Sequence, residues 1–124
     1  MRSLIDILDL SVAEIDALIA TANDIIAHPD KYSQACQGKQ LAALFFEPST
    51  RTRFSFESAM LALGGQVLSV TGAGGSSVSK GESIADTAKT VSCYANIIAM
   101  RHPQDGAALV AARAASIPVI NAGD

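Results

Sequence analysis

Along the first quarter of the chain, Val12, Ile15, Leu18, Ile19, Ala22, Ile25 and Ile26 recur at intervals of three and four. That spacing gathers side chains into one stripe of an α-helix. Ser11 and Glu14 stand three apart at its start, the pattern of a capping box, with Leu10 and Ile15 placed as a hydrophobic staple. His28-Pro29 closes the stripe. A stripe of this kind predicts a helix lying on another apolar surface, and His28, near the helix C-terminus, is placed to interact with the dipole. After the polar, glycine-containing stretch 31–40 the rhythm changes. Short apolar runs at 41–46, 66–70, 96–100 and 117–120 alternate with helical stretches near 50–63, 83–95 and 104–115. Continuous apolar runs of that length predict strands buried on both faces, and helices between them are the crossovers that a parallel sheet requires. The expected fold class is α/β: a four-stranded parallel sheet flanked by helices in three layers.

In such a sheet the segments that follow the strands gather along one edge, where ligands of open α/β folds bind. Four segments are selected in this way: Glu47–Arg53, Thr71–Gly81, Arg101-His102-Pro103 and Asn121–Asp124. Three of the four carry cations. The richest, Glu47-Pro48-Ser49-Thr50-Arg51-Thr52-Arg53, leads from a strand into a helix. Hydroxyls, unpaired first-turn amides and the positive end of a helix dipole converge there, and arginine adds a forked donor matched to phosphate oxygens. The simpler reading, that Ser49 or Thr50 merely caps the helix while the arginines pair with surface acids, is weakened because cations in a first turn oppose the dipole.

Composition narrows the chemistry. With 124 residues, 49% of them hydrophobic and 17% charged, the chain is long and apolar enough for one folded domain and excludes a disordered one. A net charge of −3 argues against nucleic acid, so any anion site has to be local. No apolar run reaches the ~18 to 20 residues of a bilayer span, and the acid-interrupted N-terminus is no secretory signal. The expectation is a soluble, cytoplasmic protein without membrane association. Cys36 and Cys93 have the spacing of neither a disulfide framework nor a zinc site and are expected to be buried thiols. Glu82 and Asp86, four apart, favour a helix start rather than a metal, and neither a metal nor a cofactor is expected. Gly72-Ala73-Gly74-Gly75-Ser76-Ser77 fails as a dinucleotide fingerprint because Ser77 takes the third glycine position, and no P-loop is present.

The run Phe45-Phe46-Glu47-Pro48-Ser49-Thr50-Arg51-Thr52-Arg53-Phe54-Ser55-Phe56-Glu57 resembles the carbamoyl-phosphate signature of the aspartate and ornithine carbamoyltransferases. Lys80-Gly81-Glu82-Ser83 with Asp86-Thr87, Met100-Arg101-His102-Pro103-Gln104 and Asn121-Ala122-Gly123-Asp124 resemble the aspartate branch. The resemblance covers essentially the whole chain and implies that residues 1–124 are a carbamoyl-phosphate-binding domain without the aspartate-binding domain. It implies that carbamoyl phosphate is bound by Ser49, Thr50, Arg51, Thr52 and Arg101, with Arg51, Thr52 and Arg101 as the catalytic set. It also implies that Ser76 and Lys80 reach a neighbouring site in a homotrimer. L-Aspartate then binds only with the further domain, so the chain alone is expected to hold the phosphate and turn over little. Arg53 is as readily a structural ion-pair residue as a ligand contact. His102, before Pro103, is read as a helix N-cap. The rival readings are an ornithine carbamoyltransferase-like domain and a non-catalytic phosphate-binding module.

Overall fold

The computed structural model describes residues 2–72 and 82–123. Helix α1 spans Val12–Ala27, strand β1 Gln40–Phe45, α2 Thr50–Ala62, β2 Gln66–Thr71, α3 Ile84–Val91, β3 Ile97–Arg101, α4 Ala107–Ala114 and β4 Val119–Asn121. Single 3-10 turns precede and follow α1, at Ile7–Asp9 and Pro29–Tyr32. The four strands form one parallel sheet in the order β2-β1-β3-β4. Beside β4, Leu4 donates its N–H to the Val119 carbonyl and accepts from Asn121, each at 2.8 Å, so the N-terminal segment covers that edge.

Strand alternation divides the core in two. Ala42, Leu44 and Phe46 with Ile98, Met100 and Val119 face α3 and α4, meeting Ala88, Ala107 and Ala111. Leu41, Ala43, Phe45 and Ala99 face the opposite way, onto Met60 and Phe56 of α2. The sheet is therefore the middle of three layers, and β1 and β3 are dry on both faces, as their unbroken apolar runs predict.

Two expectations are corrected. β2 is not buried on both faces: it pairs only with β1, and Leu68 is 43% exposed. An apolar run reports side-chain character, whereas edge or centre is decided by strand order, which periodicity does not encode. Helix α1 has its capping box, with Ser11 Oγ accepting from Glu14 N–H and Glu14 accepting from Ser11 N–H. Yet none of its residues is buried, and Val12 and Ile26 are 76% and 78% exposed. Its stripe is real, but the described residues do not cover it. Smaller departures concern Cys93, which is exposed, and Cys36, which is half-buried. His28 is the C-cap of α1, with Nδ1 3.2 Å from Asp24 Oδ1.

Candidate functional site

The sheet order places a topological switch between β1 and β3: the chain leaves β1 toward β2 on one side and leaves β3 toward β4 on the other. A crevice opens outside the carboxyl ends of such a strand pair. Phe45 and Arg101, the last residues of β1 and β3, are register partners, and Phe46 N–H donates to the Arg101 carbonyl at 2.8 Å. Segment 47–50 and the Arg101 side chain therefore start from the same point.

Five of the residues singled out from sequence meet there. Ser49, Thr50, Arg51, Thr52 and Arg101, with Pro48, line one open cavity of about 490 Å³. Arg101 Nη1 donates to Ser49 Oγ at 3.2 Å across 52 positions of sequence. Ser49 is the N-cap residue of α2, but its side chain accepts nothing from the first turn. The first intrahelical bond runs from Arg53 N–H to the Ser49 carbonyl at 3.1 Å, so the amides before it point out of the helix end toward the cavity. Capping alone does not account for Ser49, because its hydroxyl is turned to Arg101.

Glu47 was missed from sequence. Its Oε1 accepts from Arg101 Nε at 2.9 Å, with the two side chains 36% and 29% exposed. An arginine expected at a strand end calls for an acid nearby, and Glu47 at the end of the neighbouring strand was the available signal. Arg53 resolves toward structure. It pairs with Glu57, one helical turn on, at 3.3 Å, and Glu57 also accepts from Ser69 Oγ at 2.8 Å. Arg53 still borders a second hollow of about 290 Å³ on the other flank of segment 47–50, beside Thr71 and Gly72.

His102 does not cap α4, whose N-cap is Gly106 with φ +78°. Its Nδ1 instead accepts from Gln104 N–H at 3.0 Å, and its ring meets Phe46 edge-on at 5.6 Å. Pro103 therefore opens a turn rather than the helix. Glu82 accepts from Thr87 Oγ1 at 2.6 Å, and Ser83 caps α3 through Asp86 N–H at 3.0 Å, in keeping with a helix start. Ser76 and Lys80 lie outside the described residues, as does most of the glycine-rich segment 71–81. Among the described residues no group of three His, Cys, Asp or Glu side chains is arranged to hold a metal, and no helix is long and apolar enough to cross a membrane.

Residues 2–124 match the family model described as aspartate/ornithine carbamoyltransferase, carbamoyl-P binding domain. The chain is 62% identical over 123 residues to the aspartate carbamoyltransferase catalytic subunit of Clostridium acetobutylicum and 57% identical to that of Clostridium botulinum. Each match covers 99% of this chain and 40% of the relative, so the chain spans about two fifths of their length. Among solved structures, the catalytic subunit of M. jannaschii aspartate transcarbamoylase superposes with a TM-score of 0.91 at 44% identity, over 99% of this chain and 42% of that one. Aspartate transcarbamoylase from Trypanosoma cruzi, solved in complex with carbamoyl phosphate, gives 0.90 at 38% identity, over 99% and 40%. The chain belongs to the aspartate/ornithine carbamoyltransferase family, as its carbamoyl-phosphate-binding domain.

Proposed function

We propose that this chain binds carbamoyl phosphate between the N-terminus of α2 and the end of β3, and forms the carbamoyl-donor half of an aspartate carbamoyltransferase. The observation that carries this reading is the convergence of Ser49, Thr50, Arg51, Thr52 and Arg101 on one cavity. In the transfer, an amine attacks the carbonyl carbon, a C–N bond forms, the C–O bond to phosphate breaks, and the amine proton leaves with the departing phosphate. Negative charge grows on the carbonyl oxygen and on the departing phosphate. Ser49, Thr50, Arg51 and Thr52 hold the phosphate, with Arg51 near the leaving oxygen, and Thr52 and Arg101 face the carbonyl oxygen. Donors fixed toward developing charge contribute roughly 3 to 4 kcal/mol each in comparable oxyanion holes. No covalent nucleophile is needed.

The named relatives are aspartate carbamoyltransferase catalytic subunits, which favours aspartate over ornithine as the acceptor. In this reading the acceptor is held by the further, aspartate-binding domain. The chain alone therefore lacks the positioning that makes the reaction effectively unimolecular, and its turnover is weak. In the same reading Ser76 and Lys80 serve the site of a neighbouring copy in a cytoplasmic homotrimer.

Calorimetric titration of carbamoyl phosphate into the chain and its Arg51→Ala variant tests the site. Loss of one charge-assisted contact weakens binding by roughly ten-fold or more, and equal affinities would overturn the assignment. Carbamoyl-aspartate formation on adding the remaining segment of a relative tests the acceptor. Binding without aspartate-dependent turnover in that mixture would point to a phosphate-binding module instead.

A further inference from the structure

We propose that Gly123 is a positioning residue for Arg101: its missing side chain leaves the space in which the arginine stem lies, and so fixes the direction of the guanidinium. A Cβ at Gly123 would stand 2.7 Å from Arg101 Cδ, 2.7 Å from Nε and 2.8 Å from Cγ, against about 3.5 to 4.0 Å for carbon contacts at their optimum. The requirement is steric. Gly123 is not among the glycines with positive φ, so an alanine backbone is permitted there. Gly38, Gly72 and Gly106 are the converse, with left-handed backbones and open space where a Cβ would go.

The backbone at Gly123 has little room to yield. Gly123 N–H donates to Asn121 Oδ1 at 3.1 Å, Asn121 Nδ2 donates to the Ile5 carbonyl at 3.0 Å, and Ala122 N–H donates to the Met100 carbonyl at 2.8 Å. The backbone is thereby fastened to β3 and to the N-terminal segment. On the other side, the atoms a methyl would strike are the middle of the arginine stem and Nε, the donor to Glu47. Arg101 is the softer side, so it moves, and its bonds to Glu47 and Ser49 go with it.

The effect on ligand rests on the carbamoyl-phosphate reading above, whereas the effect on Arg101 does not. Two measurements on the chain and its Gly123→Ala, Arg101→Ala and double variants keep these apart. In calorimetry with carbamoyl phosphate, Gly123→Ala weakens binding roughly ten-fold, close to Arg101→Ala, and adds less than about two-fold in the Arg101→Ala background. Persistence of the full loss in that background overturns the proposal. In ¹⁵N-resolved NMR, the Arg101 Nε–H resonance shifts in Gly123→Ala toward that of a solvated arginine, and an unmoved resonance overturns it. A wild-type chain that binds no carbamoyl phosphate refutes the site reading and leaves the resonance to decide for Gly123. Should Gly123→Ala fail to fold, the double variant, in which the methyl enters vacated space, restores folding; no restoration counts against the proposal.

Discussion

Replacing Glu47 by glutamine or by alanine separates two things that its carboxylate does. Its Oε1 fixes Arg101 through a 2.9 Å bond to Nε, and its charge opposes any anion that Arg101 binds. An anion on the far side of the guanidinium stands about 7 Å from the carboxylate, where a dianion is repelled by about 1 kcal/mol in a water-like medium. Both groups are only about one-third exposed, so the water-like figure is the least the repulsion amounts to, and 0.1 M salt roughly halves it. Glu47→Gln keeps an acceptor for Nε and removes the charge. It therefore tightens carbamoyl phosphate and inorganic phosphate binding by at least roughly two- to five-fold at low salt. Glu47→Ala also removes the charge but frees Arg101, and holding a long side chain again costs about 0.5 to 1.5 kcal/mol. Its affinity falls below that of the glutamine variant by roughly two- to ten-fold. Calorimetric titrations at low and high salt read both signs. Weaker binding by Glu47→Gln than by the parent, or a gain that persists at ~1 M salt where exposed charges are screened, would refute the electrostatic account.

Two further predictions concern stability. Gly64 has φ +86° and a Cβ there would stand 2.6 Å from the Ser33 carbonyl oxygen, whereas Gly38, at φ +78°, has open space; Gly64→Ala therefore loses roughly 2 to 4 kcal/mol and Gly38→Ala about 1 to 2, and equal shifts in urea unfolding would contradict this. Hydrogen bonds from Lys31, then Tyr32 and His28, hold the Asp24 carboxyl down at about 2. Against an unfolded value near ~3.9, its contribution is present above about pH 4 and is lost as pH falls toward 2, so Asp24→Asn flattens that part of a pH series of unfolding midpoints. An unchanged slope between pH 2 and 5 would show that the cluster does not couple to folding.

The parts of this molecule legible in its sequence are those governed by local rules. The capping box of α1, the strand–helix alternation and the clustering of Ser49–Thr52 all follow from spacing and backbone chemistry. What was hidden depends on strand order. β2 reads as an apolar run like β1, yet only β1 of the two is central; Val67, Leu68 and Val70 do not announce an edge, and the polar Gln66, Ser69 and Thr71 were the available signal. The same holds for the apolar stripe of α1, since periodicity specifies a face but not what lies on it. Glu47 and Gly123 escaped notice because each acquires meaning only once β3 is known to lie beside β1 and β4 beside β3, bringing both residues against Arg101.

The proposed dianion meets a chain of net charge −3, and the chain's own helices show how a site is arranged despite that. Three helices, α1, α2 and α3, begin at a serine: Ser11, Ser49 and Ser83. In α1 and α3 the serine hydroxyl accepts a first-turn amide, and an acid, Glu14 or Asp86, occupies that turn. Each such cap contributes about 1 kcal/mol to stability. In α2 the hydroxyl makes no cap, no acid is present, and Arg51 stands where a cation opposes the dipole. The same residue type in the same position thus takes two states in one molecule, and α2 is the less stable arrangement by local rules. In the proposed reading an incoming phosphate satisfies its open amides and its dipole, supplying from outside the negative charge that Glu14 and Asp86 supply within. Anion binding, so read, is the capping of an incompletely capped helix, aided among the described residues by the two arginines that line the cavity.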